Sequence, residues 1–114
     1  VQHGMQILMD FYHQDILSLE TIVQKTSHNV ANRFQVKERG YIREGYYADL
    51  TVLDIDKPYT VSNDNILYKC GWSPFNGHTF QSSIFMTIVN GNIAFTDGQV
   101  VEDLPFGMQI EFDR

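Results

Sequence analysis

Up to Phe34, apolar residues recur at three- and four-residue intervals; beyond Val36, short β-rich runs broken by glycines take over. That change of period puts helices first and strands second, without the strand–helix–strand alternation that builds a parallel sheet. The predicted fold class is α+β: two or three helices followed by a small antiparallel sheet.

Met5, Leu8, Met9 and Tyr12 mark the buried face of a first helix, which Ile7 and Phe11 widen. Asp15 to Leu17 reads as a link. Ser18 then offers an N-cap hydroxyl, with Glu20 in the first turn where the helix dipole favours an anion. Leu19, Ile22, Val23 and Thr26 are expected to form the next buried stripe. Ser27 or Asn29 would cap a further short helix burying Val30, Ala31 and Phe34.

Leu50 to Ile55 reads as a strand apolar on both faces, ended by Pro58, with Tyr59-Thr60-Val61 as a second short strand. Residues 62–77 look irregular, with Trp72 to Gly77 as a structured turn. The clearest local signal is Asn90-Gly91 between Phe85–Val89 and Asn92–Thr96, the favoured type I′ hairpin sequence. Asp97-Gly98 turns the chain again towards Gln99–Val101, completing a three-stranded meander. The tail from Glu102 to Arg114, with Pro105 and Gly107, is expected to wrap the surface.

The 114 residues suffice for one modest core, and 43% hydrophobic with 19% charged is a globular composition. A net charge of −6 repels phosphate and argues against a nucleic-acid partner. No two basic residues adjoin, and no apolar run is long enough to span a bilayer, so no membrane partner is expected. Cys70 is the only cysteine, which fits a reducing cytoplasm. The chain opens Val-Gln-His-Gly, neither a Met start nor a signal peptide, which points to processing or to part of a longer chain.

Candidate chemistry is sparse. His3, His13, His28 and His78 show no His-x-His or His-Glu-x-x-His spacing, so no metal site is expected from this chain; His3 stands out for its place at a helix start. Cys70, beside Lys69, reads as a packing residue in preference to a nucleophile. Asp54 and Asp56 read as a solvated strand end, although they could mimic a carboxylate pair. Ser73 lacks a Gly-x-Ser-x-Gly context, and Gly40 to Gly45 lacks the spacing of a phosphate cradle. From spacing alone, no catalytic, substrate-binding or metal-ligating residue is assigned, and the chain is a packing module.

Four segments, in order, nevertheless resemble the C-terminal end of dihydroorotases and their hydantoinase and allantoinase relatives. Ser18–Val23 with Asn29–Phe34 is similar to the final helix pair, usually written with Asn-Pro-Ala and a closing Phe-Gly; here Val30 replaces the proline and Gln35 the glycine. Arg39–Asp54 resembles the Lys-Gly-x-Ile-x-x-Gly-x-x-Ala-Asp-Leu approach to a strand. Lys69–Gly77 resembles the Trp-Ser-Pro-Phe-x-Gly signature, which narrows the likeness towards dihydroorotase. Thr87–Phe95 resembles the Thr-x-Val-x-Gly hairpin. The likeness spans residues 1 to 101.

The resemblance implies reversible hydrolysis of dihydroorotate to carbamoyl aspartate in pyrimidine biosynthesis. One or two zinc ions would polarise the amide carbonyl and activate water. The ligands of that zinc, and the proton-shuttling Asp, would lie upstream of this chain. Residues 1–36 would supply the terminal helices of a (β/α)₈ barrel, 37–101 the C-terminal share of a flanking antiparallel β-sandwich, and 102–114 a surface tail. The expected partners are the N-terminal barrel part of the same polypeptide and further copies in a homo-oligomer. Alone, the chain is expected to be inactive, and unstable, oligomeric or held by its missing part. Two other readings stay open: a non-catalytic assembly homologue, and a related cyclic amidase for hydantoin, dihydropyrimidine or allantoin.

Overall fold

The computed structural model describes residues 2–101 and 107–114. Its elements run α1 (Gly4–His13), α2 (Leu19–Val23), a π-helical turn (Gln24–His28), α3 (Asn29–Phe34), β1 (Leu50–Asp54), β2 (Tyr59–Thr60), β3 (Thr79–Phe80), β4 (Ser83–Val89), β5 (Asn92–Thr96) and β6 (Gln99–Val100). Helices precede strands, as the change of period predicts. The chain gathers into two units, each taking both helical and sheet residues: residues 1–17 with 53–84, and residues 18–52 with 85–114.

In the first unit α1 buries Met9, while Val61 and Phe80 are equally closed to water. Fully burying a side chain of this size contributes about 1.5–3 kcal/mol. β2 pairs antiparallel with β3, Tyr59 opposite Phe80 and Thr60 opposite Thr79. β3 has no signature of its own in the sequence; its two residues follow an irregular stretch and are held by this pairing. The Trp72–Gly77 turn is hydrogen-bonded throughout: Phe75 N–H donates to Ser73 Oγ (3.1 Å), Asn76 N–H to the Ser73 carbonyl (3.2 Å) and Gly77 N–H to the Val61 carbonyl (2.8 Å).

In the second unit Ser18 caps α2 as expected, its Oγ accepting from Thr21 N–H at 3.1 Å. A cap of this kind is worth about 1 kcal/mol. No separate cap starts α3; residues 19–34 run on through the π-helical turn. That widening lies where Thr26 Oγ1 donates to the Ile22 carbonyl at 2.7 Å, a bond that competes with the helix ladder. The expected buried stripes are corrected: Ile22 and Ala31 are buried, but Val23, Val30 and Phe34 stand 46%, 44% and 54% exposed, and Thr26 is exposed. The stripe is apolar by sequence, yet little of this chain covers it. Gln35 closes α3 with φ 54°, a left-handed conformation that glycine adopts without strain. That explains the closing glycine of the family pattern, which this chain lacks.

The larger sheet has the order β1-β4-β5-β6. The β4–β5 hairpin turns at Asn90 (φ 50°) and Gly91 (φ 79°), the two positive values that a type I′ turn demands. Its register slips by a bulge between Thr87 and Ile88. Asp97 and Gly98 repeat the positive pair before β6, so the meander forms as predicted. β1 is not apolar-buried on both faces: none of its residues is buried. Of the tail, residues 102–106, with Pro105, lie outside the described residues. Phe112 bridges to Val36, and Lys37 N–H donates to the Glu111 carbonyl at 3.0 Å, so residues 107–114 return to the end of the helical segment.

Gly40 (φ +82°) packs so close to α3 that an added Cβ would stand 2.4 Å from Ala31 Cβ, whereas at Gly45 (φ +83°) it would meet nothing. Gly40→Ala should therefore cost about 2–4 kcal/mol, combining left-handed strain with overpacking. Gly45→Ala should cost only the strain, about 1–2 kcal/mol. Urea-unfolding midpoints of the two variants check this, and equal losses would show that the Ala31 contact does not matter.

Candidate functional site

The polar residues of α1 and its N-cap lie on one line. His3, Gln6, Asp10 and His13 follow one another at steps of three, four and three, which is helical spacing. Each reaches backbone or side chains between residues 55 and 82. Gln6 Nε2 donates to the Ser82 carbonyl at 3.1 Å, and Asp10 Oδ1 accepts from Gln81 N–H at 3.0 Å. His13 Nε2 lies 2.9 Å from the Ile55 carbonyl and 3.1 Å from Ser82 Oγ, while Ser82 O–H itself donates to Ile55 at 2.6 Å. The apolar residues dominate a reading of this helix by eye, yet the polar stripe carries the same period.

His3 is the centre of the group. It is the N-cap residue of α1, only 2% exposed, and its carbonyl accepts from Ile7 N–H. Its ring stacks on Phe80 (5.6 Å, 25°) and meets Tyr68 and Phe75 edge-on at 5.9 and 6.0 Å. Nδ1 is 2.7 Å from Tyr68 Oη. Nε2 is buried without a hydrogen-bond partner among the described residues. Burial lowers the His3 pKa, so the ring is neutral at neutral pH. Burial likewise raises the pKa of Tyr59, with the neighbouring Tyr68 adding to it.

This arrangement is not a nucleophile with its base. Tyr68 stands between His3 and Ser73, and its Oη is 3.5 Å from Ser73 Oγ, beyond a good O–H···O bond. The other candidates are not brought to it. Cys70 is exposed, its Sγ 3.5 Å from the Trp72 carbonyl. Asp54 and Asp56 stand exposed at the end of β1. His28 stacks on Tyr41 at 4.1 Å, and His78 Nε2 lies 3.4 Å from Asp10 Oδ2. Among the described residues no three His, Cys, Asp or Glu are grouped to hold a metal ion, and no helix is long and apolar enough to cross a membrane.

The second unit holds a charged knot that joins two of the signature segments. Asp49 takes an ion pair from Arg39 on Oδ2 and the Asn90 N–H on Oδ1 at 2.8 Å. Arg39 Nη2 donates to Asn90 Oδ1 at 2.9 Å, and its guanidinium lies 4.2 Å from the centre of the Tyr47 ring. Gly91 N–H donates to the Ala48 carbonyl at 3.0 Å. The Ala-Asp pair before β1 thereby fixes the hairpin tip. Sequence reading missed this knot because Arg39 and Asn90 are 51 residues apart.

Comparison with known proteins accounts for these segments. Residues 9–95 match the sequence profile of the Amidohydrolase family. The chain is similar to an allantoinase of Desulfitobacterium hafniense, 33% identical over 104 residues that cover 91% of this chain and 23% of that protein. It is similar to a dihydroorotase of Pyrococcus abyssi, 33% identical over 95 residues, covering 83% of this chain and 23% of the relative. A dihydroorotase of Endomicrobium trichonymphae is 37% identical over 89 residues, covering 78% of this chain and 21% of the relative. Among solved structures, the L-hydantoinase (dihydropyrimidinase) from Arthrobacter aurescens superposes with a TM-score of 0.75 at 28% identity, over 87% of this chain and 22% of that one. The chain thus spans under a quarter of the length of the relatives it matches.

The His3 cluster makes a pH prediction. Its folded pKa lies below the ordinary 6.5, so the neutral ring stabilises the fold fully above pH 6.5, and that stability is lost as pH falls through the lower folded value. Thermal unfolding followed downwards from pH 6.5 should show a fall that His3→Leu reduces; an unchanged slope would refute the assignment. Tyr68→Phe, which strands Nδ1 in a buried site, should cost about 1–3 kcal/mol at neutral pH.

Proposed function

The chain belongs to the amidohydrolase family, and from that premise we propose that it is the C-terminal part of a dihydroorotase-type cyclic amidohydrolase. The reaction is hydrolysis of a ring amide: water adds to the carbonyl carbon and the ring C–N bond breaks. The observation that carries the reading is the Trp72-Ser73-Pro74-Phe75 turn, the signature closest to dihydroorotase, with Phe75 packed on His3 and Ser73 holding the turn. The identities with the dihydroorotases of Pyrococcus abyssi and Endomicrobium trichonymphae support it. A second reading, a related cyclic amidase, has equal support from the allantoinase and the hydantoinase structure.

In this proposal the chain contributes packing and no catalytic residue. The zinc would be held by residues outside it. The histidines present do not fit that role: His3 is closed off by aromatic rings, and His13, His28 and His78 lie against separate partners.

The remainder of the same polypeptide is the proposed partner. Val23, Val30 and Phe34 stand open along one helical segment, as expected of a face that other parts of a larger body cover. Homo-oligomers in the cytoplasm complete the proposal, in keeping with a lone free cysteine.

The test supplies zinc to the whole polypeptide and to this chain alone, with dihydroorotate, allantoin and hydantoin as substrates. The expected result is turnover of dihydroorotate by the whole polypeptide and none by the chain. A preference for allantoin or hydantoin selects the second reading. Failure on every cyclic amide contradicts both, and turnover by the chain alone contradicts its non-catalytic role. Phe34→Asp should cost the whole polypeptide more than about 2 kcal/mol but leave the isolated chain within about 0.5 kcal/mol; equal losses in denaturant titrations would show that nothing covers this face.

A further inference from the structure

Asn-Gly is the dipeptide most open to spontaneous ring closure, because glycine puts no side chain in the way of its own nitrogen. Here the attacking nitrogen and the oxygen of the attacked amide are both already engaged. The attacking atom, Gly91 N, has its hydrogen on the Ala48 carbonyl at 3.0 Å. The side-chain amide under attack has Oδ1 held by Arg39 Nη2 at 2.9 Å. The Asn90 backbone N–H is held by Asp49 Oδ1 at 2.8 Å, and the Asn90 carbonyl accepts from Asn92 Nδ2 at 3.1 Å. Arg39 is itself pinned by its ion pair to Asp49 and by Tyr47, and its side chain is only 12% exposed.

We propose that Asn90-Gly91 is a succinimide-forming deamidation site that Arg39 and Asp49 hold shut. In the reaction Gly91 N bonds to Asn90 Cγ, the Cγ–Nδ2 bond breaks, and Nδ2 departs as ammonia with the proton of Gly91 N. Water then opens the ring to aspartate or isoaspartate. Arg39 has two opposed effects on this step. Its hydrogen bond to Oδ1 draws electrons from Cγ and favours attack, but it also fixes the amide while the Gly91 N–H is committed to the Ala48 carbonyl. Position decides: attack needs the Gly91 nitrogen freed of its proton and the side chain free to turn, and both are held. Either product adds a carboxylate beside Asp49, with one guanidinium between the two. Isoaspartate also lengthens the backbone inside a two-residue turn that sets the β4–β5 register. The knot therefore guards the hairpin against chemical ageing as well as orienting it.

The test incubates the whole protein at mildly alkaline pH, folded and in urea, and follows residue 90 by peptide mass mapping and enzymatic methylation of isoaspartate. Folded protein should deamidate about tenfold or more slowly than unfolded, the factor expected if opening must break the Gly91 and Asn90 hydrogen bonds. Arg39→Ala and Asp49→Ala, checked by circular dichroism, should each speed the folded reaction several-fold, with Arg39→Lys in between. Equal folded and unfolded rates, or an alanine variant that stays folded and keeps the parent rate, would overturn the proposal. Should both alanine variants unfold, Arg39→Lys decides: a faster reaction supports the guard and an unchanged one refutes it.

Discussion

Apolar side chains in this chain outnumber the places where its own residues can cover them. Among the described residues only Met9, Ile22, Ala31, Val61 and Phe80 are buried apolar groups, while Phe34, Phe85, Val100 and Phe112 stay about half open and Ile42 is 89% exposed. Local order therefore leans on polar ties between distant segments. The rest of the structure follows from that shortage.

Each unit has such a tie at its centre. In the first, the stripe from His3 to His13 fastens α1 to the backbone between Ile55 and Ser82, around the ring stack of His3 and Phe80. In the second, Asp49 gathers Arg39 and Asn90, so that the approach to β1 and the tip of the β4–β5 hairpin are one construction. The second tie is built from two of the signature segments, Arg39–Asp54 and Thr87–Phe95, and in the first His3 also packs against Phe75 of a third. Architecture thus accounts for Arg39, Asp49, Phe75 and Asn90 within those segments.

What was legible in the sequence is what short-range chemistry decides. Asn90-Gly91 and Asp97-Gly98 give their turns because positive φ is a property of two adjacent residues, and Ser18 caps because its partner is three residues away. The rest depends on partners far along the chain. The buried state of Gln6 rests on a carbonyl 76 residues on, and His3 meets Tyr68 across 65 residues. β3 exists through its pairing with β2. Val23, Val30 and Phe34 were expected inside because period identifies a face without saying what covers it. Gln35 adopts a left-handed conformation that its side chain gives no reason to expect.

The most direct measurement of whether a larger body completes this one is amide hydrogen exchange, on the chain alone and within the whole polypeptide. Residues 19–34 should exchange readily in isolation and become strongly protected in the whole protein, while the Asn90-Gly91 hairpin tip should change little. Equal and strong protection of residues 19–34 in both would contradict it.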